Sequence, residues 1–418
     1  MQVGGMICGK QSDILASIMS KAQAKHRVFV TGMGVVSPLG RDADSNAESL
    51  RQARDAIRPV TAFDVSATRC KTMGQVDDSW LEDALPPSRV SKRLHRSAKM
   101  VILAVRETLQ SSNGAKPQLM VVGTTSGGMS YGEAFFRQLL AKTSRKHFAQ
   151  LVGNYMPQKP ILDGQYFNNI RVPSQVVANA CSSGSNAIGH AFDLIGAGLY
   201  ECILCGGYDA VCELVFVGFD SLQAATPERI RPFDKNRTGL VLGEGAAFFI
   251  LESEEAAARR RCEAIAEILG YGVSTDTYHI TQPHPSGRGP KLAMERALRL
   301  AGLHPSEIEY INAHGTGTQF NDATEGLAIS NLFQSAAVSS TKSMMGHALG
   351  AAGSIEAVFC VLALRDGFLP PNINFAEPDP SWDLKLIANT AQHRKVGITL
   401  SNSFGFGGAN ASLILRRL

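Results

Sequence analysis

The chain has 418 residues, of which 44% are hydrophobic and 19% charged, and a formal net charge of +4 at pH 7. A chain of this length and composition buries one large core or two fused ones, which excludes disordered and fibrous proteins. The small charge, with scattered basic residues, argues against a nucleic-acid-binding surface. No apolar run reaches the roughly 20 residues of a membrane span, and residues 1–26 lack the apolar region of a signal peptide, so we expect a cytoplasmic protein.

The chain begins with residues 1–26, which we interpret as a variable extension with a short helix near residues 14–19. From residue 27 onward, apolar strand-like runs alternate with helical ones, which predicts an α/β architecture. Residues 252–261 are typical of an exposed helix with Glu255 placed to pair with Arg259, and they divide the chain into halves at 27–258 and 259–418. The predicted strands cover residues 27–31, 119–122, 175–178, 202–205, 246–251, 264–269, 308–312, 336–339, 398–402 and 411–415.

The eight cysteines are irregularly spaced, which indicates reduced thiols rather than a disulfide framework. Cys202 and Cys205 form a C-x-x-C pair, but they lie in a run typical of a buried strand, where residues three apart face opposite sides. His279 and His284 have no cysteine or carboxylate partners at ligand spacing. We therefore expect no metal site.

Cys181 lies between the predicted strand at 175–178 and a helical run that follows Gly184. The first turn of a helix carries partial positive charge and free amides, which lower a thiol pKa and can hold an oxyanion. A buried, inert cysteine is the usual alternative, but the polar, glycine-rich residues 182–185 disfavour simple core packing. Cys181 is therefore a candidate nucleophile that carries part of its own oxyanion hole.

Two histidines occupy similar positions in the C-terminal half. His314 follows the predicted strand at 308–312, and His347 follows the strand at 336–339 and a loop that contains Lys342. Catalytic groups of α/β proteins gather at the carboxyl ends of strands. A single histidine at the end of a strand is more often structural than catalytic. Two such histidines together with a cysteine in a similar position form a rarer combination. This combination indicates thioester chemistry.

A third glycine-rich segment, residues 401–410, lies between two predicted strands and contains Phe404 and Phe406. Its glycines can bring backbone amides close to a ligand. The two phenylalanines fit either a gate or plain core packing. The segment therefore completes a candidate site with Cys181 and the two histidines.

These segments, with RPFD at 231–234 and GEG at 243–245, resemble the elongating β-ketoacyl-acyl carrier protein synthases of the thiolase superfamily. The resemblance covers residues 27–418. It implies an α/β, thiolase-like fold of two similar halves, each with a mixed five-stranded sheet, stacked as αβαβα, and a homodimer. The N-terminal half would carry the nucleophilic cysteine and the C-terminal half the two histidines.

The resemblance also implies the reaction. Cys181 would take an acyl group from the phosphopantetheine thiol of an acyl carrier protein, and malonyl-carrier would lose carbon dioxide to give an enolate that attacks the acyl-cysteine. The imidazole N–H groups of His314 and His347 would stabilise charge on the thioester oxygen. The product would be a 3-oxoacyl carrier protein for fatty acid biosynthesis. No cofactor is expected to be bound, because the carrier supplies the phosphopantetheine.

Further residues take supporting roles by the same resemblance. Lys342 would lie beside the histidines and pair with Glu356, although a plain buried ion pair is an equal alternative. Asp322 and Glu325, in a sequence typical of a capping box, would begin the helix after His314. The amide of Phe406 would complete the oxyanion hole, and its ring would gate malonate entry.

Substrate contacts are assigned to four residues. Thr316 and Thr318 would bind the pantetheine arm, and Phe404 would contact the substrate. Ser126 stands where family members that differ in chain length differ in side-chain bulk, so its small size indicates an open acyl pocket.

A basic run at residues 89–96 resembles the family's docking patch for the acidic helix of the carrier, with a solvated helix face as the alternative. It contributes Lys92, Arg93 and Arg96, and Arg145 and Lys146 are expected to extend it.

The sequence departs from the family pattern at several points. Asn321 replaces the usual glycine, Asn179 and Ala180 replace the commoner Thr-Ala, and residues 158–171 differ from the usual tract. A ketosynthase of a type II polyketide or aryl-polyene pathway, which performs the same chemistry, stays open as an alternative. A non-catalytic partner subunit is a further alternative, which the intact Cys181 disfavours. Two related classes of enzyme are disfavoured. A degradative thiolase needs a second catalytic cysteine in the segment where this chain has FGFGG at residues 404–408. An initiating synthase carries one His and one Asn, whereas this chain has His at both positions.

Overall fold

The computed structural model describes residues 26–83, 85–86, 88, 90–142 and 148–418. The predicted helix near residues 14–19 lies outside them. The described residues form fifteen strands: β1 Val28–Val36, β2 Ile57–Pro59, β3 Thr72–Gly74, β4 Leu119–Gly123, β5 Ser174–Val177, β6 Cys202–Asp209, β7 Gly245–Ser253, β8 Ala266–Thr275, β9 Tyr310–Asn312, β10 Ala337–Ser339, β11 Phe368–Leu369, β12 Lys385–Leu386, β13 Gln392–His393, β14 Ile398–Gly405 and β15 Ala409–Arg417.

Thirteen α-helices occur in the same part of the chain: α1 Ala43–Arg51, α2 Asp78–Asp83, α3 Arg96–Ser111, α4 Met129–Leu140, α5 Phe148–Tyr155, α6 Gln158–Phe167, α7 Ser183–Gly196, α8 Glu213–Ser221, α9 Glu254–Arg259, α10 Arg288–Ala301, α11 Gln319–Leu332, α12 Lys342–Met345 and α13 Ala352–Asp366. Short 3₁₀ helices cover Ser91–Arg93, Pro305–Glu307, Leu349–Ala351 and Phe406–Gly408. Among the described residues, no helix is both long and apolar enough to cross a membrane.

The main sheet consists of two sets of five strands with the same pattern. The N-terminal set has the order β5-β4-β6-β7-β1, and the C-terminal set has the order β10-β9-β14-β15-β8. In each set the first three strands are parallel and the last two run antiparallel to their neighbours. The predicted pair of similar halves with mixed five-stranded sheets is therefore confirmed.

The two sets join edge to edge, which the sequence did not indicate. Strand β1 pairs with β8 through Val28, Phe29 and Val30, so one continuous sheet of eleven strands results, with short β12 at its far edge. Helix α9 connects the two sets in the chain, between β7 and β8.

Five layers follow from the helix contacts. Helix α3 packs on β1 and β7 on one outside face, and α10 packs on β8 and β15 on the other. Helices α7 and α13 contact strands of both sets and each other, so they form the central layer. Every residue of α13 from Ala352 to Leu364 is buried, which fits a helix enclosed by two sheets. The αβαβα stack is therefore confirmed.

Helix α9 corrects one predicted contact. Glu255 pairs with His26, and Arg259 pairs with Glu201, so the two residues do not pair with each other. Exposed i,i+4 pairs are weak, and partners elsewhere in the fold are enough to redirect both side chains. The predicted strand at Cys202 and Cys205 is confirmed as β6, and all seven cysteines in the described part of the chain have free thiols.

Candidate active site

The symmetry of the two halves brings Cys181 and His347 together. Cys181 lies at the N-terminal end of α7, and His347 precedes α13, the corresponding helix of the other half. The two helices approach closely because Gly184 and Gly353 carry no side chain: a Cβ on Gly184 would clash with Ser354, and one on Gly353 would clash with Ser185. The predicted strand-to-helix position of Cys181 is therefore correct.

One cavity of about 250 Å³ contains the predicted reactive groups. The His314 and His347 rings lie edge to face with their centres 5.2 Å apart, and the ring of Phe404 lies 5.7 Å from that of His314. Seven predicted residues line the cavity: Cys181, His314, Thr316, Thr318, His347, Phe404 and Phe406. A thiol, two imidazoles and two hydroxyls thus face the same space.

Both histidines are neutral in this setting. Burial and the nearby positive charge of Lys342 lower the pKa of His314 and His347 well below its usual range. Among the described residues, the Nδ1 atom of each ring has no hydrogen-bond partner and is enclosed, so Nε2 is the nitrogen available to a ligand. Two neutral N–H donors can therefore converge on one acceptor in the cavity.

Cys181 is 7% exposed, and burial raises the pKa of its thiol to about 11. Lys342 and hydrogen bonds from the amides of Phe406 and Cys181 lower the pKa but do not outweigh burial. The prediction that the helix terminus lowers the pKa of the Cys181 thiol is therefore wrong for the net shift, because the thiol is buried as well as placed at a helix N-terminus. The two amide N–H groups lie beside the sulfur, and an oxyanion hole for an acyl group on that sulfur requires hydrogen-bond donors there.

Lys342 forms a completely buried ion pair with Glu356. Lys342 lies in the short helix α12 rather than in the predicted loop, and Glu356 lies in the central helix α13. Burial raises the pKa of Glu356 to about 7, against the lowering effect of Lys342. This pair places a positive charge within reach of Cys181, His314 and His347.

Substituting Lys342 with methionine tests this effect on the thiol. The charge of Lys342 lowers the pKa of Cys181, so Lys342→Met raises that pKa further and leaves less thiolate at any given pH. We expect the pH profile of Cys181 alkylation by iodoacetamide to move upward by about 1 pH unit or more. Peptide mass spectrometry after timed labelling measures the rate.

Glu356→Gln is the matched control, because it removes the opposite charge of the same buried pair. Its alkylation profile should stay at the wild-type pH or move downward. Thermal unfolding of both variants separates a shifted pKa from lost structure, since breaking a buried pair costs about 3–5 kcal/mol. A Lys342→Met profile that is unchanged or moves downward contradicts the electrostatic role.

Asp322 and Glu325 shape the loop that carries His314. Glu325 accepts hydrogen bonds of 2.8 Å from the amides of His314 and Gly315, and Asp322 accepts one of 3.0 Å from the amide of Thr316. The predicted capping box is wrong, because α11 begins at Gln319 and places both carboxylates inside the helix. They hold the preceding loop instead of capping the helix.

The remaining predicted contacts are made by the loop of Thr316 and Thr318 and by the 3₁₀ helix Phe406–Gly408. The Thr316 and Thr318 hydroxyls lie 2.9 Å apart, and the Phe406 ring stacks on Phe219 at 5.5 Å. Gly405 passes so close to Cys181 that an added Cβ would lie 3.1 Å from the Cys181 amide nitrogen. The loop can therefore present the Phe406 amide to the sulfur.

Asp209, which sequence reasoning missed, joins the two halves at the site. It accepts hydrogen bonds from Thr124, Thr125 and Ser126 of the N-terminal half and from Gly350 of the C-terminal half. The Ser126 hydroxyl also turns toward Asp209, and Ser126 does not line the cavity of Cys181. A substrate contact for Ser126 is therefore not supported. The sequence feature that could have identified Asp209 is its position as an acidic residue at the end of an apolar strand.

The predicted docking residues divide into two groups. Lys92 and Arg93 are exposed in the 3₁₀ helix Ser91–Arg93, as a docking role requires. Arg96 instead turns inward, where its Nη2 lies 2.6 Å from buried Glu244, so its docking role is withdrawn. Arg145 and Lys146 lie outside the described residues.

Arg96→Ala should lower the free energy of unfolding by about 3–5 kcal/mol, because it leaves the Glu244 carboxylate buried without its cation. Lys92→Ala, four residues earlier on the exposed surface, should change it by less than about 0.5 kcal/mol. Urea unfolding of the two variants measures both values. Equal stability of the two variants would show that the Arg96 pair contributes little.

Comparisons with known proteins agree with this geometry. A model of the N-terminal domain of β-ketoacyl synthases matches residues 25–257, and a model of the C-terminal domain matches residues 265–376. The 3-oxoacyl-(acyl-carrier-protein) synthase 2 of Staphylococcus aureus strain COL is 35% identical over 407 residues, which cover 94% of this chain and 98% of that protein.

Two solved structures are also similar. The ishigamide ketosynthase/chain length factor superposes with a TM-score of 0.88 at 33% identity, over 94% of this chain and 100% of that one. A type II polyketide ketosynthase in complex with its acyl carrier protein superposes with a TM-score of 0.85 at 25% identity, over the same shares. The fold and the site thus define a thiolase-like condensing enzyme. The chain belongs to the β-ketoacyl synthase family.

Proposed function

We propose that this chain condenses an acyl group on Cys181 with the malonyl group of malonyl-acyl carrier protein. The products are a 3-oxoacyl carrier protein, carbon dioxide and free carrier, as an elongation step of fatty acid biosynthesis. The observation that carries the proposal is the single cavity in which a thiol, two neutral imidazoles and two sulfur-directed amides meet. The name of the Staphylococcus aureus relative supports the same reaction.

In the first half-reaction the Cys181 sulfur attacks the thioester carbonyl of the acyl-carrier. A new C–S bond forms, the bond to the pantetheine sulfur breaks, and the thiol proton passes to the departing pantetheine thiolate. Because burial keeps the resting thiol protonated, the thiol loses its proton as the sulfur attacks. The amides of Cys181 and Phe406 hold the oxyanion.

In the second half-reaction the malonyl carboxylate leaves as carbon dioxide. The electron pair of the broken C–C bond stays with the remaining thioester and gives an enolate. The N–H groups of His314 and His347 stabilise the negative charge on the enolate oxygen, where it develops. The enolate carbon then attacks the acyl carbonyl, the C–S bond to Cys181 breaks, and the released thiolate takes up a proton. Thr316 and Thr318 hold the pantetheine arm along the cavity wall.

A second candidate is the same chemistry in a polyketide or polyene pathway, favoured by the similarity to the ishigamide ketosynthase/chain length factor. The test is to supply malonyl-carrier with saturated acyl-carriers of several lengths or with polyene or polyketide primers. We expect one carbon dioxide released per 3-oxoacyl-carrier formed, with saturated primers preferred. Preference for the unsaturated or polyketide primers supports the second candidate, and product without release of carbon dioxide contradicts both.

We further infer that the functional form is a homodimer. Helices α4, α5 and α8 border an apolar groove of about 750 Å³. Phe136, Leu140 and Leu214 are largely exposed on this face, and β5, at one edge of the sheet, is partly exposed. Exposed apolar patches of this kind mark subunit interfaces. The acyl carrier protein is the proposed transient partner.

Leu214→Glu should convert the dimer to a monomer, because it buries an unpaired charge in the interface. Light scattering coupled to size-exclusion chromatography measures the mass. Leu199→Glu is the control on an exposed leucine three residues past the end of α7, and its mass should match the wild type. A wild-type chain that is monomeric when pure contradicts the homodimer and indicates a related second subunit.

A further inference from the structure

The peptide unit between Ala180 and Cys181 is held by three hydrogen bonds to its carbonyl oxygen. The Ala180 oxygen accepts bonds of 3.1 Å from the Ser183 amide, 2.6 Å from the Ser183 hydroxyl and 3.0 Å from the Thr125 hydroxyl. Ala180 has a φ of 47°, in the left-handed region that residues other than glycine rarely adopt. Such a conformation persists where surrounding contacts fix it, so these donors define the orientation of the peptide.

Thr125 reaches this peptide from the neighbouring strand. Strands β4 and β5 are parallel and pair through Gly123 and Val177 at their carboxyl ends, so the segments that follow them lie side by side. The Thr125 amide donates a hydrogen bond of 2.9 Å to Asp209, which is completely buried. Asp209 therefore fixes the backbone of Thr125 and with it the position of the hydroxyl at Ala180.

The Ala180 carbonyl and the Cys181 N–H are two ends of one planar peptide unit, so contacts that fix the carbonyl also fix the direction of the N–H. That N–H donates toward the Cys181 sulfur, where it can hold the oxyanion of an acyl group. A hydrogen bond to the carbonyl also polarises the N–H at the other end of the unit and makes it a stronger donor.

We propose that Thr125 is a positioning residue of the oxyanion hole, which orients and polarises the Cys181 amide through the Ala180 carbonyl. This inference rests on the proposed function, because it assigns a role in the acylation of Cys181. Ser183 donates to the same carbonyl from the first turn of α7, whereas Thr125 donates from a separate segment. Thr125 therefore links the oxyanion hole to the buried carboxylate of Asp209.

Thr125→Val tests this role, because valine has nearly the size of threonine and places a methyl group where the hydroxyl was. We expect acyl-Cys181 to form about fivefold more slowly at saturating acyl-carrier, as for the loss of one hydrogen bond. Thr125→Ser retains the hydroxyl and should acylate at about the wild-type rate. Mass spectrometry of the protein at timed intervals measures the adduct.

Alkylation of Cys181 by iodoacetamide is the comparison reaction, since the sulfur displaces iodide from a saturated carbon and no oxyanion forms. Its rate in Thr125→Val should stay within about twofold of wild type at the same pH, less than the loss expected for one hydrogen bond. Equal slowing of alkylation and acylation would show that the substitution displaces the sulfur itself, which overturns the proposal.

Unchanged acylation by Thr125→Val also overturns it, and so does equal slowing by Thr125→Val and Thr125→Ser, because the hydroxyl is then not responsible. Wild-type protein that iodoacetamide alkylates at Cys181 but that no acyl-carrier acylates contradicts the proposed function itself, and the role of Thr125 with it.

Discussion

Cys181→Ala is expected to abolish acyl transfer, with a loss of about 10⁴-fold or more, while the protein stays folded. The thioester intermediate needs the sulfur as its attachment point, and no other group in the cavity can form the same bond. The substitution removes one sulfur atom from a small buried side chain, so the surrounding packing changes little. Turnover assays and mass spectrometry of the protein measure the loss, and thermal unfolding measures stability.

Cys205→Ala is the matched control, because Cys205 is also buried but lies within strand β6 and does not line the cavity. It should keep acyl transfer near the wild-type rate and lose only packing energy in stability measurements. Retained condensation by Cys181→Ala would show that a different residue is the nucleophile.

His314→Ala and His347→Ala are expected to slow decarboxylation by about 10²–10³-fold each, the usual effect of removing one donor to a developing oxyanion. The first acylation should be affected less, because its oxyanion contacts the amides of Cys181 and Phe406. Rapid mixing of pre-acylated enzyme with malonyl-carrier, with carbon dioxide as the readout, isolates the second half-reaction.

His347→Asn retains an N–H donor at the same position and should recover part of the rate lost in His347→Ala. This partial recovery separates hydrogen-bond donation from a purely structural role, since both variants remove the ring. Equal loss in acylation and decarboxylation would contradict a role of the histidines in stabilising the enolate.

The histidines also set an expectation for pH. Their pKa values lie well below the usual range, so both rings stay neutral as the pH falls through 6.5. The histidines should therefore cause no loss of decarboxylation rate in pre-acylated enzyme between pH 8 and pH 6, where the buried carboxyls of Glu325 and Glu356, each with a pKa of about 7, are the site groups that change charge. A rate that falls with an apparent pKa near 6.5 in wild type, in Glu356→Gln and in Glu325→Gln alike would show that one ring is solvated and becomes charged.

The reactive residues were predictable because their signals are local. Cys181 and His314 each follow an apolar strand and precede a glycine-rich turn and a helix, so the chain itself places them at element ends. His347 follows the same pattern except that Lys342 lies in a short helix. The alternation of strands and helices was enough to predict the α/β class.

What the sequence did not predict depends on contacts between distant segments. Asp209 joins Ser126 to Gly350, and Arg96 turns inward because Glu244, 148 residues later, lies beneath it. No local pattern distinguishes such an arginine from the exposed Lys92. The pairing of β1 with β8 is equally non-local. Each sequence is typical of a strand, but neither sequence indicates which strand it pairs with.

The Cys181 pKa shows how burial can reverse a correct local expectation. The helix end, Lys342 and two amides all favour the thiolate, yet enclosure in the cavity favours the neutral thiol more strongly. Burial is a property of the assembled halves, and the local sequence around Cys181 does not report it.

Mass spectrometry of the intact protein and its peptides, first after mixing with an acyl-carrier and then after adding malonyl-carrier, tests the proposed condensation most directly. We expect an acyl adduct on Cys181 that disappears as 3-oxoacyl-carrier forms. An unmodified Cys181 with a full panel of acyl-carriers, or an adduct that malonyl-carrier does not discharge, would contradict the proposed condensation.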